Sequence, residues 1–288
     1  MARLWLRGTC TLMLAAVCTV VPSSAASAAP TQFHPPKAFY LALGDSIAYG
    51  FQTAKAVAGL PPEAFNTGFA DVFSARLRQV RPDIRTVNFS CPGESTVSFT
   101  APCVWKASGH ALHDDYPGSQ LAAAVAFLAA HRGQVSPITV SLNGNDINAF
   151  LQSCPPGDLA CVVTGAPAAI AQYRVRLTAL LATLHAAAPD AEIILTGAYD
   201  PNVGAFAFAD PLFQALNEAE AAAGATAGAR FANPFPVFNP QGDVVAETVA
   251  ICTLTLVCVA RDSHPSDAGY RVLGGLVWDA SGYDRLPA

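Results

Sequence analysis

The sequence has little charge and no block of basic residues. Only 13% of its 288 residues are charged, 52% are hydrophobic and the mean hydropathy is +0.34. A disordered chain has the opposite balance. Lysine and arginine number 16 against 21 acidic residues, so the basic surface of a nucleic-acid-binding protein is missing. The composition therefore indicates a folded chain that does not bind nucleic acid.

Several motifs of cofactor-dependent and catalytic proteins are also missing. The sequence has no G-x-S-x-G nucleophile motif, no glycine-rich phosphate loop and no dinucleotide-binding fingerprint. It has no C-x-x-C pair of the kind that binds zinc. The segments His110–Asp115 and Asn143–Asp146 contain oxygen and nitrogen donors, but they are more typical of a solvated loop and a turn. We therefore expect neither a cofactor nor a metal ion.

Beyond residue 28 the sequence contains no uninterrupted apolar run that is long enough to span a bilayer. The N-terminus has the pattern of an export signal: Arg3 and Arg7, an apolar run of 13 residues over Thr9–Val21, and the small residues Ala26–Ala28. We predict a signal peptide over residues 1–28 and a secreted mature chain of 288 − 28 = 260 residues, with a net charge of 14 − 21 = −7. A membrane anchor is the alternative interpretation of this segment.

Six cysteines remain after removal of the predicted signal peptide. Six cysteines allow 15 pairings, but these lie in three close pairs along the sequence. An exported protein meets oxidising conditions, which favour disulfides over a zinc site. We therefore expect three local disulfides, and we hypothesise that they stiffen the loops that they close: Cys91–Cys103, Cys154–Cys161 and Cys252–Cys258.

Strand and helix patterns alternate along the rest of the chain. The predicted strands are Ala38–Leu43, Ile84–Phe89, Ile138–Leu142, Glu192–Thr196 and a short one at Phe231. The predicted helices are Phe69–Val80, one capped by Ser119, one opened by Pro167 that runs to Ala188, one opened by Pro211, and Asp267–Asp279. Residues 155–157 and 233–242 are expected to form surface loops. Repeated β-then-α units imply a parallel sheet covered by helices on both faces.

Polar segments follow three of the predicted strands, and a fourth precedes the last helix. In parallel sheets, ligands bind beyond the carboxyl ends of the strands. Each segment alone is typical of an ordinary turn, but together they supply a hydroxyl, an imidazole, an amide and flexible backbone. The segments are Gly44–Ser46, Asn88–Ser95, Asn143–Asp146 and Asp262–Pro265.

These segments resemble the sequence blocks of the GDSL family of serine hydrolases, also called SGNH hydrolases. The blocks here are GDSIAYG (44–50), NFSCPGES (88–95), NGND (143–146) and DSHPSDAGY (262–270). The resemblance extends from Tyr40 to about Gly274 and leans toward secreted actinobacterial lipases and esterases. It implies that residues 29–288 form a single domain with a flavodoxin-like α/β fold, a three-layer α/β/α sandwich around a mostly parallel five-stranded sheet. We expect this domain to be a monomer.

The resemblance also implies a role for each matching residue. Ser46 would be the nucleophile, and His264 would take its proton and later return it to the leaving alcohol. The N–H groups of Ser46 and Gly93, with the side chain of Asn145, would form the oxyanion hole. The chemistry is consistent, because a serine hydroxyl is a poor nucleophile without a nearby base, and an imidazole exchanges protons near neutral pH.

One position departs from the pattern of the family. The family usually places an aspartate three residues before the catalytic histidine, where this sequence has Arg261. Asp262 lies two residues before His264, and residues i and i+2 of an extended segment point the same way. Asp262 therefore either orients the histidine, or a backbone carbonyl does so and leaves a Ser–His dyad.

We expect a lipase or esterase that cleaves carboxylic esters, either lipids or small molecules. Four apolar residues after the fourth strand either line an acyl pocket or pack in the core: Phe206, Phe208, Leu212 and Phe213. A deacetylase of polysaccharide esters, an acyltransferase and a non-catalytic secreted binding module are the alternatives.

Overall fold

The computed structural model describes residues 34–202 and 209–286. The predicted signal peptide (1–28) and its cleavage site lie outside the described residues. Phe206 and Phe208, which were expected near an acyl pocket, lie outside them as well.

A parallel sheet of five strands forms the centre of the fold. Its strands are β1 (Phe39–Gly44), β2 (Arg85–Asn88), β3 (Val135–Ser141), β4 (Ile193–Thr196) and β5 (Arg230–Ala232). They lie in the order β2-β1-β3-β4-β5, and every pair is parallel. This arrangement, with helices on both sides, confirms the predicted α/β/α sandwich. It also brings the carboxyl ends of all five strands to one edge of the sheet.

Helices and a second, two-stranded sheet complete the structure. The helices are α1 (Ser46–Tyr49), α2 (Thr53–Val57), α3 (Phe69–Val80), α4 (Val104–Ala107), α5 (Gln120–Ala130), α6 (Gly144–Ser153), α7 (Leu159–Ala187), α8 (Asp210–Thr226), α9 (Phe235–Phe238), α10 (Val244–Leu254), α11 (Val257–Ala260) and α12 (Asp267–Ser281). The second sheet pairs β6 (Thr255–Leu256) with β7 (Asp262–Pro265) in antiparallel fashion. Within the described residues, no helix has both the length and the apolar composition needed to cross a membrane.

The alternation of side chains along β1 shows how both faces of the sheet are buried. Leu41 and Leu43 belong to a core cluster that includes residues of α5, α7 and α8. Tyr40 and Ala42 belong to a second cluster, which includes residues of α3 and α12. All four side chains are fully buried. A strand that is buried on both faces is apolar at every position, which is why these segments were recognisable as strands in the sequence.

The prediction that Pro167 opens a helix is wrong, because Pro167 lies inside α7. The helix begins at Leu159, where the side chain of Asp158 accepts a hydrogen bond of 2.9 Å from the N–H of Cys161. Proline is favoured in the first turn of a helix and costs about 3 kcal/mol in its interior. The buried face of α7, from Tyr173 to Leu184, provides packing that offsets this cost.

The segment before the last helix is more ordered than predicted. Part of the expected loop 233–242 is α9, in which Phe235 and Phe238 are buried. It is followed by α10, α11 and the pair β6–β7, none of which we predicted. These elements bring β7 to the same end of the sheet as Ser46.

Candidate active site

Ser46 is the first residue of α1 and directly follows the turn at the end of β1. The backbone of Gly44 has a φ of 134°, and a Cβ atom there would lie 2.1 Å from the carbonyl oxygen of Ser141 on β3. Only glycine therefore allows β1 to end this close to its neighbour. The side chain of Asp45 caps α1 by accepting a hydrogen bond of 2.9 Å from the N–H of Ile47. The local sequence thus fixes the hydroxyl at the carboxyl edge of the sheet.

Asp45 is buried beneath this turn. Burial raises its pKa to about 6, although the N–H of Ile47 and the hydroxyl of Ser141 both donate hydrogen bonds to its carboxyl group. Asp45 therefore supports the turn that carries Ser46, and it does not bond to His264.

Three side chains form a continuous hydrogen-bonded chain. The Nε2 atom of His264 lies 3.0 Å from the Oγ atom of Ser46. The Nδ1 atom of His264 lies 2.5 Å from Oδ1 of Asp262. The ring of Phe51 packs against the imidazole, with 4.8 Å between the ring centroids. The structure therefore places a carboxylate at Nδ1, as an orienting role of Asp262 would require.

The carboxylate of Asp262 is held by hydrogen bonds from two elements. Its Oδ2 atom accepts from the N–H of Thr53 at 2.8 Å, and Oδ1 accepts from the N–H of His264 at 3.1 Å. Burial on its own would raise the pKa of Asp262, but the hydrogen bonds from His264 and Thr53 outweigh burial and hold the pKa below its usual range. The group is therefore a carboxylate at neutral pH, as an acceptor for an imidazole N–H must be.

The departure at Arg261 has a structural explanation. Arg261 has a φ of 53° and ends α11 in the left-handed conformation. It is the only residue other than glycine with a positive φ among the described residues. The turn leads directly into β7, where Asp262 and His264 are two residues apart in extended backbone and their side chains meet. An aspartate at position 262 thus reaches the imidazole that the family usually orients from one residue earlier.

Distant polar side chains brace the segment that carries His264. The hydroxyl of Tyr199 donates to the carbonyl oxygen of Ser263 at 2.7 Å. The amide of Gln52 donates to the carbonyl oxygen of Pro265 at 3.2 Å and to Asp267 at 3.0 Å. The sequence did not indicate these residues, because each one bonds to a partner that is distant along the chain and neither belongs to a local sequence motif.

Asn145, the predicted oxyanion donor, lies in the first turn of α6. Its Nδ2 atom donates a hydrogen bond of 2.7 Å to the carbonyl oxygen of Glu94. Since an amide group has two N–H bonds, the second remains for a ligand. Gly93 precedes Glu94, is exposed and has a φ of 87°. Within residues 34–202 and 209–286, we find no hydrogen bond donated by the N–H of Ser46 or of Gly93.

Asp146 ties the loop of Asn145 to the loop of Gly93. Its carboxylate accepts hydrogen bonds from the N–H of Thr96 at 2.8 Å and from the hydroxyl of Thr96 at 2.5 Å. Arg176 on α7 pairs with the same carboxylate at 3.1 Å. The sequence indicated only a turn at Asp146, whereas the structure makes it the anchor between these two segments.

A cleft of about 280 Å³ contains most of the predicted site. Ser46, Asn145 and His264 line it, and Gly93 does not. The other lining residues include three asparagines and an apolar group: Asn143, Asn148, Asn202, Ile47, Leu151 and Phe213. Phe213 lines the cleft and is also a buried member of the core cluster, against which Leu212 packs.

A larger cavity of about 360 Å³ lies at the opposite edge of the sheet. Lys37, Arg132 and Asp190 are among its lining residues, and it contains no serine or cysteine. It therefore lacks the hydroxyl or thiol that an acyl-serine or acyl-cysteine mechanism needs.

The polar side chains of the segment 110–115 face different partners. His110 stacks on Trp105, and His113 bonds to the carbonyl oxygen of Tyr49 at 2.9 Å. Asp114 accepts a hydrogen bond from the N–H of Asn88, and Asp115 pairs with Lys106. Within the described part of the chain, no three histidine, cysteine or acidic side chains form a group that would hold a metal ion.

Three disulfides close short segments that lie near the site residues along the chain. They join Cys91 to Cys103, Cys154 to Cys161 and Cys252 to Cys258. The first lies two residues before Gly93, the second follows α6, and the third joins α10 to α11 just ahead of Asp262.

The profile of the GDSL-like Lipase/Acylhydrolase family matches residues 42–272. The chain belongs to this family. As a GDSL-like lipase/acylhydrolase, it is an ester hydrolase. No curated protein sequence matches the chain.

Solved structures of similar fold include three named ester hydrolases. Phospholipase A1 from Streptomyces albidoflavus NA297 has a TM-score of 0.55 and 15% identity, covering 85% of this chain and 99% of its own. An extracellular lipase from Streptomyces rimosus has a TM-score of 0.52 and 18% identity, covering 84% and 99%. An acetylxylan esterase from Geobacillus stearothermophilus has a TM-score of 0.53 and 17% identity, covering 87% and 96%. The TM-scores indicate a shared fold, and the low identities leave the substrate of this GDSL hydrolase open.

Proposed function

We propose that this protein is a secreted lipase or esterase that cleaves carboxylic esters through an acyl-Ser46 intermediate. The observation that carries the proposal is the hydrogen-bonded chain from Ser46 through His264 to Asp262, with 3.0 Å and 2.5 Å between the bonded atoms. A hydroxyl, an imidazole and a carboxylate in this order are the parts of a serine hydrolase.

In the first half of the reaction, the Oγ atom of Ser46 attacks the carbonyl carbon of the ester. The proton of the hydroxyl passes to Nε2 of His264 as the new C–O bond forms. The tetrahedral intermediate then collapses, the bond to the alcohol oxygen breaks, and His264 gives its proton to that oxygen. Asp262 stays ionised throughout, and it holds the ring so that Nδ1 bears hydrogen and Nε2 is free to accept the proton.

In the second half, water replaces the alcohol. His264 takes a proton from the water molecule, and the oxygen of that water attacks the acyl carbon. When the bond between the acyl carbon and Oγ breaks, His264 returns the proton to Oγ of Ser46 and the carboxylic acid leaves. Both tetrahedral intermediates carry a negative charge on the former carbonyl oxygen. The N–H groups of Ser46 and Gly93 and the Nδ2 group of Asn145 are the donors that we assign to this charge.

The lining of the cleft supports an acyl chain as part of the substrate. Ile47, Leu151 and Phe213 lie in the same cleft as Ser46. An acyl chain buried against such side chains gains about 0.8 kcal/mol for each methylene group. We therefore propose a lipase or esterase as the first choice.

A polysaccharide deacetylase is the second candidate, and a specific observation favours it. Four asparagines line the cleft, at positions 143, 145, 148 and 202, and side-chain amides can bind sugar hydroxyl groups. The acetylxylan esterase is also among the proteins of similar fold.

A panel of nitrophenyl esters from acetate to palmitate tests both candidates. We expect the wild type to hydrolyse them, Ser46→Ala to lose the activity, and the exposed serine variant Ser153→Ala to retain it. A preference that rises with chain length supports the lipase, and activity on acetate alone supports the deacetylase. If the wild type hydrolyses no ester and an organophosphate does not label Ser46, the chain is a non-catalytic binding module and the proposal is wrong.

Secretion and processing are part of the same proposal. We propose that residues 1–28 are removed on export and that residues 29–288 act as a monomeric domain. The three disulfides and the likeness to an extracellular lipase support an extracellular location. Sequencing of the exported protein should show Ala29 as its first residue, and uncleaved protein retained by the cells would contradict this.

A further inference from the structure

Gln120 is a fully buried amide at the start of α5. Its Oε1 atom accepts a hydrogen bond of 2.6 Å from the N–H of Gly44, and its Nε2 atom donates one of 2.9 Å to the carbonyl oxygen of Gly44. Gly44 stands two residues before Ser46. The side chain of Gln120 therefore bonds to both the N–H and the carbonyl oxygen of Gly44, the glycine of the turn that leads to Ser46.

The same amide also bonds to the segment that contains Gly93, one of the proposed oxyanion donors. Its Nε2 atom donates a further hydrogen bond of 3.2 Å to the carboxyl group of Glu94. Glu94 is fully buried; burial raises its pKa to about 7, against hydrogen bonds from Ser98 and Gln120. The carbonyl oxygen of Glu94 is also the acceptor of Asn145 at 2.7 Å. The path from Gly44 to Asn145 thus runs through two buried residues, Gln120 and Glu94, that are joined by direct hydrogen bonds.

Only a glutamine amide satisfies these three partners at once. The site needs one acceptor for the N–H of Gly44 and two donors, one for its carbonyl oxygen and one for Glu94. A glutamate would lose the donors, and a methionine would remove all three hydrogen bonds. The N–H of Gly44 would lose this acceptor, whereas the carbonyl oxygen of Gly44 would keep its bond from the N–H of Cys91 at 2.9 Å and Glu94 would keep its bond from the hydroxyl of Ser98.

We propose that Gln120 is a positioning residue of the active site, which sets the distance between the turn of Ser46 and the donors at Gly93 and Asn145. This inference rests on the proposed function, because it concerns how the nucleophile and the oxyanion hole are held together. Gln120 does not touch the reacting atoms; it acts through Gly44 and Glu94. Misplacing reacting groups by about 1 Å costs about 10²-fold in rate.

The test compares Gln120→Met and Gln120→Glu with the wild type on a nitrophenyl ester. We expect kcat to fall about 10²-fold in Gln120→Met while KM stays within about threefold, because the loss concerns the transition state. The control is Ser136→Ala. Ser136 is buried near the start of β3, at the end of the sheet away from Ser46, and its hydroxyl accepts a hydrogen bond of 3.1 Å from the N–H of Glu192, so its loss reports destabilisation without reaching the cleft.

A double-mutant cycle separates positioning from general stability. If Gln120 positions the oxyanion donors, Asn145→Ala costs much less in the Gln120→Met background than in the wild type, and its full cost persists in the Ser136→Ala background. Additive losses, or equal kcat values for Gln120→Met and Ser136→Ala at equal thermal stability, would overturn the inference. If Gln120→Met does not fold, Gln120→Glu serves in the same cycle, since it keeps the shape and the acceptor.

The two proposals fail in different ways. A wild type that is inactive on every ester and is not labelled at Ser46 overturns the proposed function and, with it, the role of Gln120. An active wild type with additive losses overturns the role of Gln120 alone.

Discussion

The carboxylate of Asp262 accepts two hydrogen bonds from a single residue, His264, one from its N–H at 3.1 Å and one from Nδ1 at 2.5 Å. A third comes from the N–H of Thr53 at 2.8 Å. Because Asp262 is ionised, it accepts the proton-bearing nitrogen and leaves Nε2 of the imidazole facing Ser46 without hydrogen. The carboxylate thereby selects the tautomer that the proposed reaction requires.

Replacement of this carboxylate by an amide should remove that selection. We expect Asp262→Asn to lower kcat by about 10³–10⁴-fold, because an amide can present its NH₂ group to Nδ1 and favour the other tautomer. Steady-state kinetics on a nitrophenyl ester measure the loss. The matched control is Asp83→Asn, whose side chain is 75% exposed and far from any predicted role in the reaction. A kcat within tenfold of the wild type would show that something other than Asp262 orients the ring.

The donor role of Asn145 leads to a second prediction. Removal of one oxyanion donor typically costs about 2.7–4 kcal/mol, so Asn145→Ala should lower kcat by about 10²–10³-fold with little change in KM. Asn148 stands three residues later on α6, also lines the cleft, and is not assigned to the oxyanion. We expect Asn148→Ala to keep kcat within about threefold. Equal losses of kcat in the two variants would contradict the assignment.

The sheet and the polar segments at its edge were predictable from sequence for a physical reason. Strands buried on both faces have continuous apolar runs, and the groups proposed for chemistry follow them within a few residues. Ser46 and Asn145 lie beyond the ends of β1 and β3 in this way. Similarity to the GDSL blocks then indicated which of several ordinary turns belong together.

Other features depend on contacts that the local sequence does not encode. The N–H of Thr53 meets Asp262 across 209 residues, and Tyr199 meets Ser263 across 64. The error at Pro167 has a similar origin, since the buried face of α7 extends a helix through a residue that by itself disfavours it. Arg261 shows the converse, because its left-handed backbone is imposed by the turn into β7 and not by its own preference.

Gly44 allows a third prediction, about stability. A Cβ atom at Gly44 would meet the carbonyl oxygen of Ser141 at 2.1 Å, in a conformation that side chains rarely adopt. We expect Gly44→Ala to destabilise the fold by about 4 kcal/mol or more, measured by urea unfolding. Gly133 also has a positive φ, of 73°, but nothing lies within 4 Å of its added Cβ. Gly133→Ala should therefore cost only about 1–2 kcal/mol, and equal costs for the two variants would show that the contact with Ser141 relaxes.

Asp200 behaves differently from Asp262, because its surroundings disfavour the charged form. It is fully buried, and its Oδ2 atom has no hydrogen-bond partner in the part of the chain that the structure describes. Burial raises its pKa to about 6, with a further rise from the charges of Asp210 and Glu247 and an opposing effect of the hydrogen bonds from Asn202. In the unfolded chain an aspartate has a pKa of about 3.9. Between these two values the folded protein holds more protons than the unfolded chain, so the contribution of Asp200 to stability falls as the pH rises from about 4 to 6.

Asp200→Asn should therefore be stabilising, by an amount that grows as the pH rises through this range and is complete above it. At pH 4 the aspartate is protonated in the folded state, and the variant and the wild type should be nearly equal in stability. At pH 8 the wild type carries a buried charge and the variant does not, so the variant should be more stable by up to about 3 kcal/mol. Urea unfolding at both pH values measures the difference, in which the similar effects of Asp45 and Glu94 cancel because both proteins contain them. An Asp200→Asn variant that is less stable than the wild type at pH 8 would mean that the charge of Asp200 stabilises the fold.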